Sequence, residues 1–370
     1  MSTWNSLTGA TSVAALLLAT ACGDRTPSRT AADSSATTGK SPAAATLAAA
    51  SARPGALAFV TNEDSQDLSI ISTASDSVVA TIPVGTRPRG VKVSPDGRTV
   101  WVALSGSPKC PPTMPDAECE KLKVDKSKDG IAEVDVATRT VRRILPGGSD
   151  PEQFDVAPDG SKLFVSNEDA GTASIVDLKT GRINDTIKVG AEPEGVRLSP
   201  DGKHVWVTSE AAHTLSVLDI ATGKSLASIV VDPRPRDLAF TSDGLKVYST
   251  AEQGGTVSVI DVPTHKVIKV IKMPADARPM GVLISPDGKR VFVSNGRGGS
   301  ISVINTATNT IEKTIPVGKR PWGIALSADG KKLYTANGPS NDVSVVDTET
   351  LVVLKTIPVG KVPWGVAIGK

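Results

Sequence analysis

From about residue 56 to its end the chain is made of short runs in which apolar and polar residues alternate, each bounded by Gly, Pro, Asp, Asn or Thr. Gly281-Val-Leu-Ile-Ser285 and Arg290-Val-Phe-Val-Ser294 flank an Asp-Gly pair, which predicts a β-hairpin. A turn at Asn295-Gly296 leads to Ser300-Ile-Ser-Val-Ile-Asn305. A polar turn and Thr310-Ile-Glu-Lys-Thr-Ile-Pro-Val317 then complete four strands. No part of this region has a capped apolar stripe of period 3.6, so no long helix is expected.

The four-strand unit repeats. Asp-Gly recurs at Asp96, Asp159, Asp201, Asp243, Asp287 and Asp329, with separations of 63, 42, 42, 44 and 42 residues. A period near 42 is that of a four-stranded propeller blade, and the first interval holds one repeat plus an insertion, about residues 105–129. The second strand of each unit carries one aromatic at a matched position: Phe59, Trp101, Phe164, Trp206, Tyr248, Phe292 and Tyr334. Ala58-Phe59-Val60-Thr61-Asn62 is such a second strand with no first strand before it, whereas Pro363-Trp364-Gly365-Val366-Ala367-Ile368 is a first strand with nothing after it. Pairing the two closes a ring and removes an open sheet edge. The expected fold is all-β: a seven-bladed β-propeller of four-stranded antiparallel blades over residues 55–370, closed by the C-terminal strand.

The first 54 residues read differently. Val13 to Ala21 is an apolar run too short to span a bilayer, and residues 1–22 read as a signal peptide. Leu18-Ala19-Thr20-Ala21-Cys22 resembles a bacterial lipobox, which implies acylation of Cys22, a periplasmic or cell-envelope location, and membrane contact through the lipid anchor alone. Residues 23–54, rich in Ala, Ser, Thr and Pro, hold too little apolar bulk to offset the entropy of ordering and read as a tether. With Cys22 so assigned, Cys110 and Cys119 remain in the insertion, and in an oxidising compartment they read as one disulfide. The insertion replaces the turn between the second and third strands of blade 2, so it is expected to overhang the mouth of the central channel.

Val-Ser-Asn, Tyr-Thr-Ala-Asn, Ser-Val-Ile-Asp and Thr-Ile-Pro-Val-Gly, recurring at this period, resemble the YVTN family of β-propeller repeats. Ser149-Asp150-Pro151-Glu152, Asn167-Glu168-Asp169, Glu192-Pro193-Glu194-Gly195 and Val231-Asp232-Pro233-Arg234-Pro235-Arg236, followed by Gly254-Gly255-Thr256-Val257-Ser258-Val259-Ile260-Asp261, look like the propeller proteins associated with PQQ-dependent alcohol catabolism. The resemblance implies a link to quinoprotein alcohol oxidation. It carries over no catalytic residue and does not by itself imply bound PQQ.

Formal net charge is +2, which gives no electrostatic case for nucleic acid. The three histidines, His204, His213 and His265, fall on unrelated strand and turn positions, so no metal or haem site is expected from them. Asp125-x-Ser127-x-Asp129-Gly130 opens like a calcium loop, but Val136 stands at the twelfth position and Lys126 and Lys128 oppose a cation; it reads as a charged loop. No catalytic motif is present and no cofactor is indicated, which favours a monomeric, non-enzymatic scaffold for an envelope protein or a small anionic ligand. The alternative is a propeller enzyme or cofactor subunit, lactonase-like or a quinoprotein partner, with its site at the channel mouth.

The candidate residues lie where each blade connection takes the form x-Pro-x. The flanking pairs are Arg87 and Arg89, Asp150 and Glu152, Glu192 and Glu194, Arg234 and Arg236, Arg278 and Met280, Arg320 and Trp322, and Val362 and Trp364. Two readings stand open. In one, the arginines pair with Glu63, Glu168, Glu210 and Glu252 while the tryptophans pack over a blade junction. In the other, Arg234, Arg278 and Arg320 hold an anion and Trp322 and Trp364 stack on a flat or sugar-like body.

Overall fold

In the computed structural model the alternating runs form seven four-stranded antiparallel sheets set in a ring. The structure describes residues 56–109, 114, 116–119 and 121–369. Cys22, the expected signal peptide and tether, and Cys110 lie outside them, as does the side chain of Cys119, so neither the lipidation site nor the disulfide is visible. Blade 1 is closed as its strand pattern predicts: Pro363–Ile368 runs antiparallel to Leu57–Asn62, with Ala58 opposite Ile368 and Val60 opposite Val366. No helix among the described residues is long and apolar enough to cross a membrane.

The core lies between blades, where one sheet face packs on the next. Phe59, Leu68 and Ile70 of blade 1, for example, meet Val91, Val100 and Val102 of blade 2 in one buried cluster. All seven second-strand aromatics are buried. Each is expected to contribute about 1.5–3 kcal/mol by leaving water.

The same strand carries the polar signature of the repeat. Its sixth residue is Asn in blades 1, 3, 6 and 7, and the Asn62, Asn167, Asn295 and Asn337 side-chain amides donate to Ser69, Ser174, Ser302 and Ser344 on the third strand. The fifth residue is a hydroxyl in five blades. Thr61, Ser166, Thr208, Thr250 and Ser294 each donate to a backbone carbonyl of the next blade's innermost strand, those of Arg89, Glu194, Arg236, Met280 and Trp322. The Thr and Asn of the repeat are thus blade-to-blade and strand-to-strand fasteners, and buried polar groups are tolerated because they are bonded.

These hydroxyls sit opposite a bulge that aims the mouth residues. In blade 4 Pro193 pairs with Ser209 and pairing resumes only at Val196 with Val207, so Glu194 and Gly195 leave the ladder. Thr208 fills the gap by accepting the Gly195 N–H. Such bulges re-aim side chains, here towards the channel. The residue after x-Pro-x is Gly in five blades because neighbouring innermost strands nearly touch: a Cβ on Gly195 would lie 2.6 Å from the Arg236 carbonyl oxygen. All seven residues before these prolines, Arg87, Asp150, Glu192, Arg234, Arg278, Arg320 and Val362, have positive φ between 44° and 64°. The seven-fold recurrence makes this backbone strain a property of the connection rather than the mark of one site.

The described part of the insertion is fastened to both neighbouring blades. Lys109 lies 2.9 Å from Asp64 of blade 1, Lys126 bonds Asp169 of blade 3, and Asp129 accepts the Asp150 N–H at 2.9 Å. Arg87 donates to the Ser107 and Pro108 carbonyls, which places the root of the insertion beside the x-Pro-x ring. The Asp125 segment forms a short turn, Lys126–Lys128, with Asp125 capping the Ser127 N–H.

Candidate functional site

The x-Pro-x ring divides into two sectors with opposite chemistry. On blades 2 to 5 the arginines are engaged. Arg87 meets Glu63 at 2.9 Å. Arg89 bonds Asp150 and Glu152 and lies 3.5 Å from Glu168. Arg236 bonds Glu194 and Glu210 and lies 3.1 Å from Glu252, while Arg234 bridges Glu210 and Glu252 at 2.5 and 3.3 Å. Arg89, Glu152, Arg236 and Glu210 are almost fully buried. Removing one partner would strand a buried charge, so these contacts behave as structural pairs.

Electrostatics in this wall follow from crowding. Burial alone would raise the Asp150 carboxyl, but Arg89, a Ser105 hydrogen bond and Arg87 hold it below its ordinary value. Glu168 is pushed up to about 7, by burial first and by Glu194 and Asp150 beside it, against the pull of Arg89. Carboxylate oxygens of Asp150, Glu152 and Glu168 lie within 4.8 Å of one another. The cation among them is the Arg89 guanidinium, which contacts all three.

Blades 6, 7 and 1 differ. Arg320 lies over the Trp322 ring at 5.0 Å, Arg236 approaches the same ring at 5.5 Å, and Trp322 meets Trp364 edge-on with centroids 5.2 Å apart. Trp364 is buried and Trp322 partly buried. Among the described residues neither Arg278 nor Arg320 has a carboxylate at ion-pair distance. Burial pulls the Arg320 pKa down, and nearby Arg236 and Arg234 act the same way, opposed by Glu252. Part of the cause is legible in the turn between the second and third strands. That turn begins with Glu63, Glu168, Glu210 and Glu252 in blades 1, 3, 4 and 5, but with Gly296 and Gly338 in blades 6 and 7. The backbone N–H at this position donates to the residue before the proline, as Glu252 does to Arg234 and Gly338 to Arg320, so the turn residue stands beside it.

One tier down the channel lies a set of charges that the sequence reading missed. Lys92 is 3.4 Å from Asp155, and Arg197 is 2.9 Å from Asp237. Asp155 accepts the Leu198 N–H and Asp237 the Val282 N–H, each on the following blade. Burial lowers the Lys92 pKa and raises that of Asp237. Asp237 could have been flagged, since it replaces a glycine of the inner ring. The histidines stand apart, with His213 Nδ1 2.7 Å from the Glu210 carbonyl oxygen and His265 edge-on to Trp206.

The chain is a seven-bladed β-propeller. Residues 193–353 match the family described as Lactonase, 7-bladed beta-propeller, and residues 122–243 match the YNCE-like beta-propeller family. Among solved structures, a 6-phosphogluconolactonase, so described provisionally, from Bacteroides fragilis is similar at TM-score 0.71 and 18% identity, over 86% of this propeller chain and 99% of that one. A Bacteroides uniformis protein of the same provisional description gives 0.70 and 19%, over 85% and 100%. The Kuenenia stuttgartiensis hydrazine synthase gives 0.64 and 22%, over 76% and 89%. These likenesses show the fold. A comparison with curated proteins finds no match.

Proposed function

We propose that the propeller is an exported, monomeric binding protein that takes a small anionic ligand at the channel mouth, with Arg278 and Arg320 on the anion and Trp322 and Trp364 against its body. The observation that carries this reading is the Arg320 guanidinium, stacked on Trp322 with no carboxylate partner among the described residues. An arginine so placed offers its planar donor fork to a carboxylate or phosphate. The apolar run before Cys22 supports export and a lipid anchor in the envelope.

A second reading, lactone hydrolysis, is favoured by the lactonase-family match, whose span includes Arg234, Arg278, Arg320 and Trp322. A carboxyl poised near 7, Glu168, is the type of group that moves a proton at neutral pH. The test is titration of the full chain with gluconate, gluconate 6-phosphate and PQQ, alongside an assay for opening of the corresponding sugar lactones. Binding that weakens at least tenfold in Trp322→Ala supports the site. Turnover of a lactone decides for the second reading, and PQQ binding alone for the quinoprotein link. Unchanged affinity in both Trp322→Ala and Arg320→Ala excludes the mouth.

A further inference from the structure

We propose that anion binding at the mouth is coupled to uptake of one proton by Glu168. The coupling rests on the anion-site reading above. In the wall of blades 2 to 5, the carboxylates Asp150, Glu152, Glu168, Glu194, Glu210 and Glu252 share three arginines, Arg89, Arg234 and Arg236. Counted against these three arginines, six ionised carboxylates leave an excess of three negative charges in a largely buried cluster, and the further cations, Arg87 and Lys126 near Asp150 and Arg320 near Glu252, make no ion pair with any of the six. A buried group in that position neutralises instead.

Geometry selects which one. Asp150 and Glu152 are bonded to Arg89, Glu194 and Glu210 to Arg236, and Glu252 lies 3.3 Å or less from two arginines. Glu168 has a single ion pair, the 3.5 Å contact with Arg89. It is also the member of its trio that lines a cavity of about 530 Å³ between blades 3 and 4, open to solvent protons. A second observation points the same way. Oε2 of the buried Glu152 accepts no hydrogen bond, and the Glu168 carboxylate approaches the Glu152 carboxylate within 4.8 Å. A proton on Glu168 would remove the repulsion between these two carboxylates. Burial and the neighbours Glu194 and Asp150 hold its pKa at about 7.

The groups facing Glu168 are Arg89 from the blade 2 connection, Asp150 and Glu152 from blade 3, and Glu194 and Arg236 from blades 4 and 5. Asp169, Lys188 and Glu192 line the cavity, with Lys126 of the insertion bonded to Asp169. Arg236 joins the two sectors, since its charge favours ionised Glu168 while its guanidinium lies 5.5 Å from Trp322. An anion seated beside Trp322 and Arg320 draws on Arg236, weakens its hold on Glu168 and raises that carboxyl's proton affinity. By reciprocity the protonated carboxyl favours the anion.

The test is calorimetric titration of the full chain with gluconate, whose charge is constant between pH 6 and 8.5, in buffers of different ionisation enthalpy. Wild type is expected to take up about half to three-quarters of a proton per anion at pH 7.5, and its Kd to rise about tenfold or more from pH 6.5 to 8.5. Glu168→Gln should bind at all these pH values with no proton uptake. Binding by wild type without proton uptake, or a pH slope retained in Glu168→Gln, overturns the coupling. Calcium chloride that binds wild type with proton release also overturns it, because the wall would then take a cation in place of the proton. If neither protein binds any anion, the site reading itself fails and the coupling falls with it.

Discussion

Blade 5 and blade 7 place an arginine at the same point, before the proline of the connection, yet the two residues do different work. Arg234 of blade 5 sits between Glu210 and Glu252, whereas Arg320 of blade 7 rests on a tryptophan with no carboxylate at ion-pair distance among the described residues. The difference lies in the turns on either side, Glu210 and Glu252 in one case and Gly296 and Gly338 in the other. A charged residue at a channel mouth is therefore not by itself a sign of binding. For this pair of arginines, what separates the one that holds blades together from the one facing the tryptophans is whether the adjoining turns supply a carboxylate.

The largest effect is expected from removing the corner altogether. Deleting residues 363–370 takes away Trp364 and the strand that pairs with Leu57–Asn62, exposing a sheet edge. The truncated chain should lose its cooperative unfolding transition or self-associate, followed by circular dichroism and size exclusion. Arg236→Met tests the wall. It leaves Glu194 without its guanidinium and Glu210 with Arg234 alone, and should destabilise the protein by about 3–5 kcal/mol in denaturant unfolding, far more than a surface ion pair would.

The fold was legible in the sequence to a degree the site was not. A 42-residue period, one aromatic per second strand and an orphan strand at each end specify blade number and closure, because each reports a packing requirement repeated seven times. The pairing of Arg87, Arg89, Arg234 and Arg236 with Glu63, Glu168, Glu210 and Glu252 was one of two open readings, and the structure realises it for these arginines while leaving Arg278 and Arg320 without such partners. The signal that separates them, Glu or Gly at the start of the turn, was present but had no meaning until the turn was known to lie beside the connection. Lys92, Asp155, Arg197 and Asp237 went unnoticed because charges on an inner strand are visible as channel residues only once the bulge fixes which way each faces.

Two smaller effects sharpen the contrast. The folded-state pKa of Glu168 stands above its ordinary value, so between about pH 4.5 and 7 the folded chain binds more protons than the unfolded one. Its contribution to stability is therefore complete at the acid end of that window and lost as pH rises through about 7. Glu168→Gln removes that loss and should be more stable than wild type at pH 8 by about 1–2 kcal/mol, with the gap closing towards pH 5. Gly338→Glu turns the free corner into a copy of the wall. A Cβ there meets nothing closer than 3.7 Å, so the fold should accept it with a stability change within about 0.5 kcal/mol. The new carboxylate should engage Arg320 and reduce anion affinity about tenfold, as titration would register.

The smallest expected stability change belongs to the residue with the largest assigned role. Arg320→Ala removes a guanidinium that has no carboxylate partner among the described residues and lies near two like charges, so its unfolding free energy should match wild type within about 0.5 kcal/mol. The decisive measurement is gluconate 6-phosphate binding by calorimetry to wild type and Arg320→Ala side by side. Binding in wild type that falls at least tenfold in an equally stable variant is the predicted result, and equal affinity in the two proteins would contradict the assignment of the corner as the site.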